Sequence, residues 1–335
     1  MTDSEEPAAG AEALEHTLLG GSRRYTRLQV AEQTGVALDR AQRLWRALGF
    51  PDVPDDEVVF TDLDVHALRT VQELVELGLL DDETQIATTR AMGQSLSRLA
   101  EWQVSVLTRV LEDLDANSPE VAAEAARELV PILEGLIGYV WRRHLAAAAA
   151  RALAKPDEVV ARMMAVGFAD LVGFTTLTRH VDEDELVQVV GGFESIASDV
   201  IAQLGGRVVK TVGDEVMYTA DDAAVGAEIA LRLVEAVEAV DELPGLRVGV
   251  GYGTVLARLG DVYGEPVNLA ARLTSIARPD SVLVDRDLAT ALDGDERYRL
   301  RRVPPRPVRG YALLHAVRLR RAEDADGSGA YPSDA

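Results

Sequence analysis

Two short segments, whose aspartates stand 44 positions apart, constrain this chain more than any other feature. The first is Phe168-Ala169-Asp170-Leu171-Val172-Gly173-Phe174-Thr175. It leaves a hydrophobic run (Val159, Val160, Met163, Met164, Val166, Phe168) and breaks at Gly173 into a helix-like pattern. Asp170 therefore falls near the end of a buried strand. The second is Lys210-Thr211-Val212-Gly213-Asp214-Glu215-Val216-Met217. It follows Arg207-Val208-Val209, pauses at Val212-Gly213-Asp214 and resumes in apolar residues. That pattern predicts a tight hairpin with Asp214 at its tip. If the hairpin lies beside the first strand, two remote carboxylates converge at strand ends. Such ligands suit Mg²⁺ or Mn²⁺, which need only one or two protein carboxylates when substrate phosphates supply the rest. A two-metal clamp on an in-line phosphoryl displacement is the chemistry this would serve.

Downstream stands Leu259-Gly260-Asp261-Val262-Tyr263-Gly264-Glu265-Pro266-Val267-Asn268-Leu269-Ala270-Ala271-Arg272-Leu273. A helix is predicted from Val267 to Ala277, so Asn268 and Arg272, four apart, share a face and can point at one ligand. An Arg fork and an amide donor suit charge building on a phosphate. Together these segments resemble the class III nucleotidyl cyclases, over roughly Val159 to Leu319. The resemblance implies an α/β (α+β) catalytic domain, a mixed sheet flanked by helices, that converts ATP to 3′,5′-cyclic AMP and pyrophosphate. It implies Asp170 and Asp214 as ligands of two Mg²⁺ or Mn²⁺ ions per active site, and Asn268 and Arg272 as the transition-state pair. Lys210 and Asp261 become the purine-specifying residues, a donor and an acceptor complementary to adenine's N1 and N6. Guanine presents the opposite pattern and leaves such a pair unmatched. The helix start after Gly173, at Phe174 and Thr175, would aim backbone N–H groups at the triphosphate. In the family the metal ligands of one chain meet the other four residues of its partner, so a homodimer has two composite sites. Taken singly, each residue also reads as a solvated charge or a turn; the joint spacing carries the resemblance. Alternatives are a guanylate cyclase, an inactive cyclase-fold module, and a nucleotide-sensing regulator with a DNA-binding helix-turn-helix. Val212 to Val216 also faintly resembles the hairpin of diguanylate cyclases, which lack the downstream Asp-Asn-Arg set.

Composition narrows the setting. The 335 residues allow two domains with real cores. Without cysteine there are no disulfides or thiolate metal sites. The acidic start carries no signal-peptide pattern. The longest apolar run, Leu136 to Leu153, is cut by Arg142, Arg143 and His144, so no membrane span and a cytoplasmic location are expected. A net charge of −22 disfavours nucleic acid and anionic membranes as partners.

Residues 1–20 read as a disordered leader. Residues 21–80 predict a regulatory domain, with helices at Leu28 to Thr34 and Leu38 to Leu48. A Pro/Asp-rich loop or wing spans Phe50 to Val59, and a helix opens at Thr61. That order is similar to a MerR-type winged helix-turn-helix, giving an all-α, winged-helix-like N-terminal domain. Its would-be wing carries Asp52, Asp55, Asp56 and Glu57, which would face phosphates, so DNA is disfavoured. Residues 81–155 predict a helical bundle or connector. Its apolar seam (Met92, Leu96, Leu99, Val106, Val110, Leu114, with Gln103) suits a dimer interface or packing on the N-terminal unit. Pro131 should kink its second helix. The connector enters the catalytic domain, residues 156–320, at Lys155-Pro156, and 321–335 read as a disordered tail. A regulatory ligand or a pH signal would act through the connector. His144, beside Arg142 and Arg143, is a candidate because unperturbed histidine titrates near pH 6.5. The catalytic domain is expected to contain a strand pair from Leu246 to Ala257. Its alternating Gly249, Gly251 and Gly253 imply close backbone approach. The final strands are expected around Pro304-Pro305.

Overall fold

The computed structural model describes residues 6–78, 81–113, 118–154, 161–258 and 260–322. The chain divides into two compact units, Met1–Arg151 and Ala152–Ala335.

The first unit is helical: α1 (Glu6–Leu18), α2 (Arg27–Thr34), α3 (Leu38–Leu48), α4 (Asp62–Glu76), α5 (Asp82–Asp113) and α6 (Pro119–Ala154), the last running past the unit's boundary. Much of the expected leader is thus α1. Local chemistry sets the other ends. Thr26 and Gln29 form a capping box on α2, Thr61 and Asp64 one on α4, and left-handed Gly35 and Gly49 close α2 and α3. Val30, Leu44, Trp45, Phe60, Val65 and Leu68 make the core, with Trp45 stacked on Phe60 at 4.5 Å. The α2–α3 pair has the expected helix-turn-helix order. The wing does not form among the described residues, where Phe60 makes only an isolated bridge with Tyr25. The loop instead ties Asp52 and Asp55 to Arg27. Helix α6 continues through Pro131. Several large apolar side chains of α5 and α6 stay exposed, including Met92, Leu96, Trp102, Ile132, Tyr139 and Trp141. Leu114, Lys155 and Pro156 lie outside the described residues, as do 323–335. No helix of the described residues is long and apolar enough to cross a membrane.

The second unit is one mixed sheet. Its strands are β1 (Ala161–Leu171), β2 (Arg207–Val212), β3 (Glu215–Ala220), β4 (Leu246–Arg258), β5 (Asp261–Tyr263), β6 (Ser281–Val284), β7 (Tyr298–Val308) and β8 (Tyr311–Arg321). The order is β2-β3-β1-β4-β6-β8-β7, with β5 on β4; only β4–β6 is parallel. Helices cover both faces, which is why β1 is buried without interruption from Met164 to Leu171. On one face α8 (Glu183–Gln203) and α9 (Ala223–Glu238) pack Phe193, Ile201, Ile229 and Leu233 against β1 and β4. On the other lies α10 (Glu265–Ile276), with α7 (Phe174–Leu177) and α11 (Arg286–Ala291) completing the unit. The glycines of β4 admit α10. A Cβ on Gly249 would strike the backbone of Ala270 and Thr274, and one on Gly251 the backbone of Pro266.

Three expectations change. Leu246 to Ala257 is one long strand rather than a pair, because both of its edges are already occupied, by β1 and by β6. The last hairpin turns at Arg309-Gly310, where Gly310 supplies a φ of 91°; Pro304-Pro305 sit inside β7 at a register shift. Arg321, assigned to the tail, closes β8 and binds Glu228.

Candidate active site

The predicted hairpin forms, with β2 and β3 joined at Gly213-Asp214. Strand β3 pairs with β1, setting Asp170 opposite Glu215. The N–H of Leu171 donates to the Asp214 carbonyl at 3.1 Å, fixing the hairpin tip at the end of β1. On the other side Asp170 faces Arg247 of β4, whose Nε and Nη2 both reach Oδ2 at 2.5 Å. Asp170 is only 9% exposed. Burial, and then the charge of Asp170, hold the Asp214 carboxyl above the usual carboxylate range. Glu215 is raised by burial first, then by Asp170 and Asp214. Three crowded carboxylates against one guanidinium suit a cation, and Asp170 and Asp214 are the pair that would hold it. Among the described residues no three His, Asp or Glu enclose a metal unaided. Two carboxylates completed by substrate oxygens is an arrangement Mg²⁺ accepts.

The second group gathers around α10. Asp261 opens β5, and Lys210 of β2 donates from Nζ to its Oδ2 at 2.6 Å. Burial raises the Asp261 carboxyl, but the Lys210 hydrogen bond and the Val262 N–H outweigh it and leave Asp261 below its ordinary value. Gly264 (φ 145°) turns the chain into α10, with Pro266 in the first turn. Thr274 Oγ1 hydrogen-bonds the Phe168 carbonyl at 3.2 Å, so the helix is tied to the Asp170 strand. Asn268 is exposed and Arg272 half-buried, one turn apart on this helix. Among the described residues neither side chain makes a hydrogen bond or ion pair, leaving both available to a ligand. Phe174 begins α7, a single turn entered through left-handed Gly173, and packs partly on the core. The side chain of Thr175 lies outside the described residues.

The structure thus gathers Asp170 with Asp214, and Lys210 with Asp261. No hydrogen bond or ion pair among the described residues joins the first pair to Lys210, Asp261, Asn268 or Arg272. Arg247 and Glu215 were missed as site residues. An arginine in the apolar run Leu246 to Val250 was a visible anomaly, but only the β1–β4 register reveals its partner.

Residues 159–319 match the adenylate and guanylate cyclase catalytic domain, and residues 11–168 the adenylate cyclase regulatory domain. An adenylate cyclase of Streptomyces coelicolor is 43% identical over 97% of this chain and 94% of its own length. The chain belongs to the class III adenylate cyclases. One from Streptomyces griseus is 48% identical over 83% of this chain and 71% of its own length. A pH-sensitive adenylate cyclase of Mycobacterium tuberculosis is 34% identical over 91% of this chain and 80% of its own length. The winged-helix-like expectation thus falls within a regulatory-domain match, and the mixed sheet within the catalytic one.

Proposed function

We propose that this cyclase converts ATP to 3′,5′-cyclic AMP and pyrophosphate in two composite sites of a homodimer. The observation that carries the choice of purine is the 2.6 Å contact of Lys210 with Asp261, a donor and an acceptor drawn from remote segments. An adenine edge inserted between them satisfies both, whereas guanine opposes donor to donor. Asn268 and Arg272, unengaged on α10, would donate to the α-phosphate as the ribose 3′-oxygen attacks. Arg247, beside Asp170, is positioned to bind phosphate oxygens. Two divalent ions, Mg²⁺ or Mn²⁺, held by Asp170 and Asp214, would supply charge neutralisation and lower the pKa of the 3′-hydroxyl. Residues 1–20, 21–80 and 81–155 are read as leader, regulatory domain and connector, and residues 156–320, extended by the Arg321 that closes β8, as the catalytic domain with the tail after it, within a cytoplasmic protein. A second copy of the chain would cover the exposed apolar residues of α5 and α6. The pH-sensitive relative makes acidification a reasonable stimulus, and His144, exposed on α6, the first residue to replace. The test is turnover of ATP and GTP by the purified protein in Mn²⁺ and then Mg²⁺. Preference for ATP that is eroded by Lys210→Glu with Asp261→Cys is the expected result. Equal use of GTP, or selectivity unmoved by the double change, would overturn the assignment of the base readers.

A further inference from the structure

Nine arginines lie between 297 and 321, with no acidic residue among them, in a chain of net charge −22. Two are neutralised locally. Arg297 binds Asp295 at 2.6 Å, and Arg321 bridges Glu228 and Glu235 of α9. Four others are set against one another. The β7–β8 register places Arg299 opposite Arg320 and Arg301 opposite Arg318. Like charges directly across a ladder destabilise it. Arg318 also pairs in register with Leu283, so the row lies on the face where Leu283, Leu314 and Ala316 pack with Leu273 of α10. That helix ends at Ile276, and Arg278 follows. Here Arg278, Arg301, Arg302, Arg306, Arg318 and Ser281 line a pocket of about 270 Å³. Among the described residues none of these five guanidinium groups makes a hydrogen bond or an ion pair. Arg318 is half-buried. Burial, then Arg320, Arg278 and Arg301, hold it below the ordinary arginine pKa.

We propose that this pocket binds a condensed phosphate anion, a di- or triphosphate group either free or carried on a nucleotide. Guanidinium forks meet phosphate oxygens through paired hydrogen bonds, and five converging forks offer more donors than one carboxylate can use. The pocket's size fits a small anion. A nucleic acid or an anionic lipid surface would bring a second polyanion against a strongly negative protein. The site is also distinct from the carboxylate cluster. Strand β8 is three steps from β1 in the sheet, about 14 Å at ordinary strand spacing. An anion here would screen the arginine pairs and so stabilise the hairpin.

The experiment is a calorimetric titration of the full-length protein with inorganic triphosphate in EDTA, at fixed ionic strength, with thermal unfolding in parallel. We expect one anion per chain, binding at least tenfold weaker in Arg301→Gln/Arg318→Gln and within twofold of wild type in Asp170→Ala/Asp214→Ala. Triphosphate should raise the unfolding midpoint of the wild type and of the aspartate variant, but not that of the arginine variant. Without anion the arginine variant should melt no lower than wild type, since its like-charge pairs are gone. Arg278→Gln, at the pocket's edge, should weaken binding several-fold and serves as the milder replacement. ATP in EDTA displacing triphosphate would identify a nucleotide as the carrier, and failure to displace would identify the free anion. Equal affinity in wild type and both arginine variants overturns the proposal. So does loss of binding in the aspartate variant alone, or sulfate competing as well as triphosphate at equal charge.

Discussion

Asp170 is nearly buried and pairs with Arg247, a guanidinium that a phosphate could equally engage. If Asp170 and Asp214 hold the divalent ions, alanine at either position should reduce turnover by at least about a thousandfold, several kcal/mol of transition-state stabilisation. The fold should survive, because removing one carboxylate relieves the crowding that raises Asp214 and Glu215. Circular dichroism with a turnover assay checks both halves, and a near-normal rate in either variant removes the two-metal reading. A different aspartate governs stability. Asp285, 3% exposed, caps α11 by accepting from Leu288 N–H and also accepts from Tyr252 N–H. Burial nevertheless lifts its pKa from 3.8 to about 6. Its folded value exceeds its unfolded one, so its stabilising contribution is complete below pH 3.8 and disappears as pH rises through about 6. The loss is on the order of 3 kcal/mol. Urea unfolding of wild type and Asp285→Asn at pH 4.5 and 7.5 should show a difference that shrinks in the wild type's disfavour on going up in pH. A pH-independent difference would refute it. At this scale the spacing of Asp170, Asp214, Lys210, Asp261, Asn268 and Arg272 was legible along the chain, and the structure sets Asp170 beside Asp214 and Lys210 against Asp261. Arg247 and Glu215 were not legible, since strand register, invisible in a linear sequence, makes them neighbours of Asp170.

Helix α10 carries Asn268 and Arg272, and its position is set by what β4 lacks. Gly249 and Gly251 leave room for the helix backbone, and Thr274 bonds both Ala270 and Phe168 carbonyls. Gly249→Ala would push a methyl into main chain that cannot rotate away, so a destabilisation of about 2 kcal/mol or more is expected. If Asn268 and Arg272 on the displaced helix are the transition-state pair, kcat should fall more than the affinity for ATP. Thermal unfolding and steady-state kinetics on this single variant test the claim. Unchanged stability would mean that α10 adjusts freely. The alternating glycines announced this approach in the sequence, and the hairpin turn at Gly213-Asp214 was equally legible. Strand partners were harder. Leu246 to Ala257 was expected as a strand pair, but it lies within the single thirteen-residue β4. The prolines of β7 misled, since a register shift in that hairpin tolerates residues that cannot donate to a ladder. The wing failed for a further reason: Arg27 draws Asp52 and Asp55 into ion pairs, and such long-range pairs leave no periodic trace.

For the molecule as a whole, the decisive question is whether one chain suffices. The carboxylates sit at the end of β1 and the tip of the β2–β3 hairpin, while Lys210 of β2 meets Asp261 of β5, and Asn268 and Arg272 lie on α10. The two sets share no hydrogen bond or ion pair among the described residues. A homodimer closed by a two-fold axis can bring one set of each chain to the opposite set of its partner, twice over. Asp170→Ala and Arg272→Ala would each then be inactive alone, because every site in either homodimer lacks one member. In an exchanged heterodimer one site inherits both lesions and the other inherits neither. An equal mixture at exchange equilibrium, half of it heterodimer, should therefore recover roughly a quarter of wild-type turnover. The recovered KM should equal that of the wild type, since the surviving site is complete. Differently tagged subunits purified as heterodimers and assayed with ATP give the answer directly. If isolated heterodimers stay as inactive as their parents, the site is not shared between chains, and the two residue sets must close on ATP within one.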